Sequence, residues 1–306
     1  VATLTYRRPG DLDAALPALV AQVEALPGAE LLVVDNDTVP SAAEVVGRWS
    51  AEHPVRYVHE PRPGIAAARN RALDSTPDDA LLVFIDDDER PSERWLATLV
   101  AAHERYGATG VVGPVVSAFE GTLDPWIVAG GWFTRLRHAT GTRVRVVATN
   151  NLLLDLAAVR SLGVRFDEDF GLTGGSDTVF SLAVARRGGS FVWCDEAPVT
   201  DVVPASRATR RWVVRRAFRT GNSGARAAVR VAQGPAETAA ARLRHGARGL
   251  ARLAGGSLRW LVGWVTRDLT RRSRGTRTAV RGAGMVAGAA GYVYAEYARA
   301  ARSRRP

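Results

Sequence analysis

The chain has 306 residues, 46% apolar and 24% charged, which excludes a disordered tail-like protein and leaves room for one large domain or two smaller ones. A single cysteine, Cys194, excludes an intramolecular disulfide; with no secretory signal legible after Val1, it predicts a reducing, cytoplasmic setting. The net charge of +10 is unevenly spread: all 41 basic residues are arginine, and from Ser206 onward 23 of them stand against three acids (Glu237, Asp268, Glu296), whereas residues 1–205 hold 18 against 28 acids. This asymmetry predicts an acidic globular body over 1–205 and a basic extension over 206–306 that meets an anionic surface, lipid or nucleic acid.

Short apolar runs alternate with amphipathic segments in the first part, the pattern of a mostly parallel α/β sheet covered by helices. VATLTY (1–6) reads as a strand. Leu12, Ala15, Leu16, Leu19, Val20 and Val23 follow at helical spacing, with Asp11 placed to cap that helix. ELLVVDND (30–37) and VRYVHE (55–60) read as strands, and GIAAARNRALDS (64–75) as a helix after a Pro-Gly turn at 63–64. LLVFI (81–85) is apolar on both faces, as a central parallel strand is. A helix is expected from Pro91-Ser92, with Leu96, Leu99 and Val100 on one side. After VVGPVVSA (111–118), residues 119–147 carry few periodic positions and predict a long, partly mobile loop. ATNNLLLDLAAV (148–159) reads as a strand or strand-helix corner, residues 166–189 as a Gly-rich loop feeding a helix, and SFVWCDEAPVTDVV (190–203) as one final strand. Cys194 in that strand reads as an inert core thiol.

Beyond 206 the chain reads as arginine-rich helix, with a break at Gly234-Pro235 and apolar patches at 258–265 and 282–295. Both patches are shorter than the roughly 18–20 residues that span a bilayer. They suit a helix lying in the membrane interface, or a helix packed on the main domain or on another copy. No internal repeat is evident.

LLVFIDDDERPSERWL (81–96) drives an apolar strand straight into three aspartates. Three adjacent carboxylates repel unless something positive stands among them. In open α/β sheets ligands bind at the carboxyl ends of strands. In an extended segment, residues two apart share a face, so Asp86 and Asp88 would share one crevice and Asp87 would turn away as a structural residue. Two convergent carboxylates with no histidine or cysteine nearby suit a hard cation, Mg²⁺ or Mn²⁺, that completes its shell with substrate phosphates. A solvated acidic turn is the alternative. The five histidines show no metal-ligand spacing.

The ordered set TYRR (5–8), VVDND (33–37), EPRPGIAAARNRAL (60–73), FIDDD (84–88), ATNN (148–151) and GGSDTVF (174–180) resembles the family 2 glycosyltransferases of GT-A fold over about residues 1–220. The resemblance implies an inverting transfer from a nucleoside-diphosphate sugar, UDP by default, to an acceptor hydroxyl. It places Thr5, Tyr6 and Asp37 at the base, Arg69 and Asn70 near base and phosphates, and Asp86 with the nucleotide. Asp86 and Asp88 match the family's DxD metal motif, and Asp177 matches its catalytic base. Gly64, Gly174 and Gly175 would permit tight backbone turns.

Three positions depart from the family pattern. Ser176 precedes Asp177 where relatives carry Glu. Asp201 replaces a histidine near the diphosphate and becomes a further metal candidate. Arg7 replaces an asparagine. Trp126 and Trp132, with Asn151 and Gly175, are acceptor-site candidates, although the tryptophans could equally pin their loop to the core. Arg215 and Arg216 are candidates for the diphosphate, because bidentate guanidinium suits phosphate oxygens.

A peripheral enzyme at the inner face of the plasma membrane, working on a lipid-linked or polymeric acceptor of cell-envelope polysaccharide, is one expectation. A soluble enzyme acting on a small molecule, its basic extension used for homo-oligomer contact, is another. A sugar-phosphate nucleotidyltransferase would need a Gly-rich loop after the first strand, which TYRRPGDLDAAL lacks. A non-enzymatic polyanion binder is disfavoured because the extension interleaves Trp with Ala and Gly and has no RNA-recognition signature, so no specific nucleic acid is expected.

Overall fold

The computed structural model describes residues 1–294; Ala295, the last residue of the second apolar patch, and Glu296 lie outside them. The chain opens with β1 (Ala2–Thr5), α1 (Pro9–Glu24), β2 (Leu31–Asp35), α2 (Ala43–Ser50) and β3 (Val55–His59). Pro9 starts α1, where its missing N–H costs nothing. Asp11 therefore lies in the first turn rather than at the cap, which is Arg8 and makes no side-chain capping bond. α3 (Ile65–Asp74) leads to β4 (Leu81–Asp86), then β5 (Glu89–Pro91) and α4 (Trp95–Tyr106). That helix begins later than Pro91-Ser92 suggested, because Glu89–Pro91 pairs as an antiparallel strand with residues 199–201.

β6 (Gly110–Val112), β7 (Val115–Phe119), α5 (Pro125–Gly130) and β8 (Arg143–Val144) follow, so the expected mobile loop is in part regular structure. Asp124 caps α5 by accepting from the Trp126 N–H at 2.8 Å. Next come β9 (Asn151–Asp155), α6 (Leu156–Ser161), a 3₁₀ turn at Glu168–Phe170 and α7 (Ser176–Arg186). The expected single last strand is two, β10 (Phe191–Trp193) and β11 (Val199–Val203), which enter different sheets.

The large sheet has the order β3-β2-β1-β4-β9-β6-β10-β8. Its first four strands are parallel, and β9 runs antiparallel to both β4 and β6. Both faces are buried, which explains the unbroken apolar runs. Val33, Val83, Ile85, Val111 and Leu153 meet α1 and α4 on one side; Leu32, Val34, Leu82, Phe84, Leu152 and Leu154 pack with α3, α6 and α7 on the other. A second sheet, β5-β11-β7, sits beside it.

Three long helices close the described chain: α8 (Arg210–Arg230), α9 (Gly234–Val265) and α10 (Leu269–Ala289). They pack through glycine. A methyl group on Gly256 would lie 2.4 Å from the Ala279 nitrogen, and one on Gly284 2.0 Å from the Phe218 oxygen. Gly249, Gly256 and Gly263 recur every seven residues along α9 and face α10. No described helix is long and apolar enough to cross a membrane.

Candidate active site

A cleft of about 640 Å³ opens over the carboxyl ends of β1 and β4. Its floor is the acidic turn. β4 ends at Asp86 and residues 87–88 turn back into β5, so the extended geometry that would share one face between Asp86 and Asp88 stops there. All three aspartates line the cleft together with Glu89 and Asp201. Five arginines line it as well: Arg8, Arg135, Arg207, Arg216 and Arg219.

What stands among the aspartates is guanidinium. Arg8 Nη1 donates to Asp87 Oδ1 at 3.4 Å and to Asp88 Oδ2 at 3.2 Å, and Arg207 Nη1 reaches that same Asp88 oxygen at 3.2 Å. Asp87 is buried and accepts from the Thr5 hydroxyl at 2.8 Å. Asp201 is paired with Arg135. Burial, then the neighbouring Asp88, pushes the Asp86 carboxyl up to about 7, with Arg69 opposing. Burial likewise pushes Asp87 up to about 6. Glu89, buried and next to Asp86, is raised well above the usual carboxylate range although Asn150 donates to it at 2.6 Å. Negative charge on this floor is thus under-compensated.

The opposite wall is Leu4, Tyr6, Asn36, Gly64, Ile65 and Ala68. Asn36 fixes the corner: it donates to the carbonyls of Glu60 and Arg62 at 2.9 and 2.7 Å and accepts from the Gly64 N–H at 3.2 Å. Gly64 has φ +116, and a Cβ there would meet the Gly171 backbone at 3.2 Å.

Residues 1–163 match the family model Glycosyl transferase family 2. The chain belongs to that family. It is 35% identical over 237 residues to the succinoglycan biosynthesis protein ExoM of Rhizobium meliloti (strain 1021), spanning 76% of each chain. Among solved structures it resembles S. aureus TarS 1–349 (TM-score 0.53, 13% identity, 90% of this chain and 89% of that one). It also resembles GalNAc-T7 solved with UDP, GalNAc and Mn²⁺ (TM-score 0.55, 15% identity, 76% and 47%). A further TarS structure, solved with UDP-GlcNAc, gives a TM-score of 0.54 at 14% identity over 90% of both chains. These likenesses show the GT-A fold, and the family makes the chain a glycosyltransferase.

Within that fold, Thr5, Tyr6, Asp86, Asp88, Asp201 and Arg216 line the cleft. Several other expected residues do not. Asn151 is fully buried: its Oδ1 accepts from Trp95 Nε1 at 2.8 Å, and its Nδ2 donates to the carbonyls of Pro114 and Ala197 at 3.0 and 2.8 Å. It is a core residue, not an acceptor contact. Trp126 and Trp132 stack on each other at 4.9 Å, and Ser273 of α10 accepts from Trp132 Nε1 and donates to the Trp126 carbonyl. They pin the segment to α10 outside the main cleft.

Arg215 lines a separate cleft with Trp126 and Trp260 and not the main one. Arg69 is buried, does not line the cleft, and donates to the Ser176 hydroxyl at 2.7 Å, joining α3 to the start of α7. Asn70 bonds the Phe166 backbone at 2.9 and 3.0 Å, and so is structural too. Asp37 is buried outside the cleft lining; against its burial, Arg7 at 2.9 Å and the Thr38 amide hold its carboxyl below the usual range.

Asp177 sits half-buried in the first turn of α7, its Oδ1 accepting from the Thr178 N–H at 2.7 Å. Gly175, φ +98, caps that helix against Ser223 rather than lining the cleft. Gly174, φ +73, faces Arg219, a cleft residue.

Sequence reading missed Arg8, Asn36, Asn150, Phe133, Arg135, Arg207, Trp212 and Arg219. Only Arg8, Asn36 and Asn150 stood inside quoted motifs. The arginines carried no positional signal in a chain whose every basic residue is arginine.

Proposed function

We propose that the cleft binds a UDP-sugar and transfers its sugar, with inversion, to an acceptor hydroxyl. The observation that carries this is the charged lining: five carboxylates and five guanidiniums converge on one cleft at the carboxyl ends of parallel strands. Leu4, Tyr6, Asn36 and Ile65 form a mixed polar and apolar wall suited to a nucleoside. Arg207, Arg216 and Arg219 reach the cleft from the C-terminal part of the chain and suit a diphosphate.

A divalent cation fits this donor set in a limited way. Among the described residues no three His, Cys, Asp or Glu side chains form a metal cluster. Asp86 and Asp88 offer two carboxylates on an under-compensated floor, which suits Mg²⁺ or Mn²⁺ sharing its shell with phosphates and water. Asp88 is already engaged by Arg8 and Arg207 and Asp201 by Arg135, so either would share its carboxylate between guanidinium and the ion. The Mn²⁺ and UDP named for GalNAc-T7 support the choice of ion. When bound, such an ion would neutralise charge building on the departing diphosphate.

The acceptor oxygen attacks the anomeric carbon while the bond from that carbon to the diphosphate oxygen breaks, its electron pair leaving with UDP. Asp177, which does not itself line the cleft but follows Gly174 beside the cleft residue Arg219, is the proposed acceptor of the hydroxyl proton, and one displacement inverts the centre. A positioned base of this kind contributes about 10²–10⁴-fold. The likeness to a succinoglycan biosynthesis protein supports a growing saccharide, lipid-linked or polymeric, as acceptor.

Calorimetric titration of UDP, with and without Mn²⁺, tests the donor site beside Asp88→Asn. Metal-dependent UDP binding that disappears in the variant is expected. Folded protein that binds no nucleotide under either condition would sink the proposal.

A further inference from the structure

α9 buries one face against α10 and exposes another. Leu243, Leu250, Leu258, Leu261 and Val265 recur every three, four, seven or eight residues along its outer face, and are 50–75% exposed. Trp264, 59% exposed, flanks this stripe. On the other flank Arg244, Arg248, Arg252 and Arg259 are all exposed. Beside Trp260 a second cleft of about 460 Å³ is walled by Trp126, Arg210, Arg211, Arg215 and Arg272. An apolar stripe is thus bordered by arginine on both sides, with tryptophan at its edge.

We propose that this face docks on an anionic phospholipid bilayer, α9 lying parallel to the surface with Leu258, Leu261, Trp264 and Val265 in the interfacial layer. Charge decides the occupant. Residues 210–289 contain 18 arginines and two acids, Glu237 and Asp268. Both acids are engaged, Glu237 by Arg186 at 2.8 Å and Asp268 by capping the Arg271 N–H at 2.9 Å. A second copy would set arginine against arginine; a sheet of lipid phosphates supplies the missing counter-charge. Arginine stems can lie along the apolar layer while their heads reach the phosphates. α9 cannot cross the bilayer, and its glycine seam with α10 holds the outer face in place.

The test is co-sedimentation of the whole protein with vesicles of phosphatidylcholine alone and of phosphatidylcholine mixed with phosphatidylglycerol. Binding to the mixed vesicles, weakened by salt and accompanied by a blue shift of tryptophan emission, is expected. Leu261→Glu with Trp264→Glu keeps every arginine and should weaken that binding by about tenfold or more. Arg248→Glu with Arg252→Glu should weaken it too, and circular dichroism confirms that each variant folds. Failure to bind mixed vesicles overturns the proposal, and so does a Leu261/Trp264 variant that binds like the parent, which would leave only generic polyanion attraction. A dimer by light scattering that Trp264→Glu dissociates would assign the face to a second copy instead. UDP titration of the same variants separates this outcome from the donor-site reading, since neither double change touches the main cleft.

Discussion

Arg207 donates to Asp88 at 3.2 Å across 119 positions of sequence, and Arg8 shares the same carboxylate oxygen at 3.2 Å. The approach to the C-terminal helices is thereby tied to the acidic turn. The basic part of the chain completes the main cleft instead of trailing from it, because Trp212, Arg216 and Arg219 of α8 line the cleft as well.

Arg207→Ala follows from that contact. The pair is partly exposed, so its loss should cost below about 1 kcal/mol of stability. Its guanidinium, however, is one of those proposed to meet the diphosphate, and on that proposal UDP affinity should fall about five- to tenfold, with Lys restoring only part. Calorimetry alongside a melting curve checks this. Unchanged UDP affinity in the alanine variant would remove Arg207 from the donor site.

Asn150 and Asn151 are neighbours with opposite duties. Asn151→Ala would strand the Trp95 indole N–H and the carbonyls of Pro114 and Ala197 in the core. We expect a loss of about 3 kcal/mol or more in chemical denaturation. Asn150→Ala removes one hydrogen bond to Glu89 at the cleft and should cost only about 1–2 kcal/mol. Its larger effect should be on sugar transfer. Equal destabilisation by the two changes would contradict this division.

The helical seam makes a prediction with two signs. A Cβ on Gly255 would meet nothing within 4 Å, so Gly255→Ala should stabilise by about 1 kcal/mol through helix propensity. One residue on, a Cβ on Gly256 would lie 2.4 Å from the Ala279 nitrogen and 2.8 Å from the Gly275 oxygen. Gly256→Ala should therefore cost about 1–3 kcal/mol despite the same gain in propensity. Thermal melts of the two variants should move in opposite directions.

The strands were legible because burial on both faces writes unbroken apolar runs, and the motifs at strand ends fell into order around them. Registers at the site were harder. Nothing local distinguishes Asn150 from Asn151, yet a one-residue step carries a side chain from cleft to core. The three aspartates suggested a shared face for two of them, whereas the chain turns at 87–88 and brings all three to the cleft. β5 is three residues ending on a proline and owes its existence to β11, a partner 110 positions away in register. The seven-residue spacing of Gly249, Gly256 and Gly263 was present in the sequence. Its meaning appears only beside Gly275 and Gly282 of the facing helix.

Cys194 offers a pH-dependent test away from the cleft. The thiol is 1% exposed, and burial, followed by the nearby Glu196 carboxylate, pushes it up from 9.0 to about 11. The folded state thus holds the thiol proton more tightly than the unfolded chain does. Its contribution to stability is complete below about 9 and is lost as pH rises through about 11. Native protein should react with iodoacetamide far more slowly than protein unfolded in guanidinium at the same pH, because little thiolate forms and little of it is reachable. Cys194→Ala should flatten the fall in stability between those two pH values. A native alkylation rate matching that of the unfolded chain would show the thiol to be open to solvent, and β10 to be looser than its packing implies.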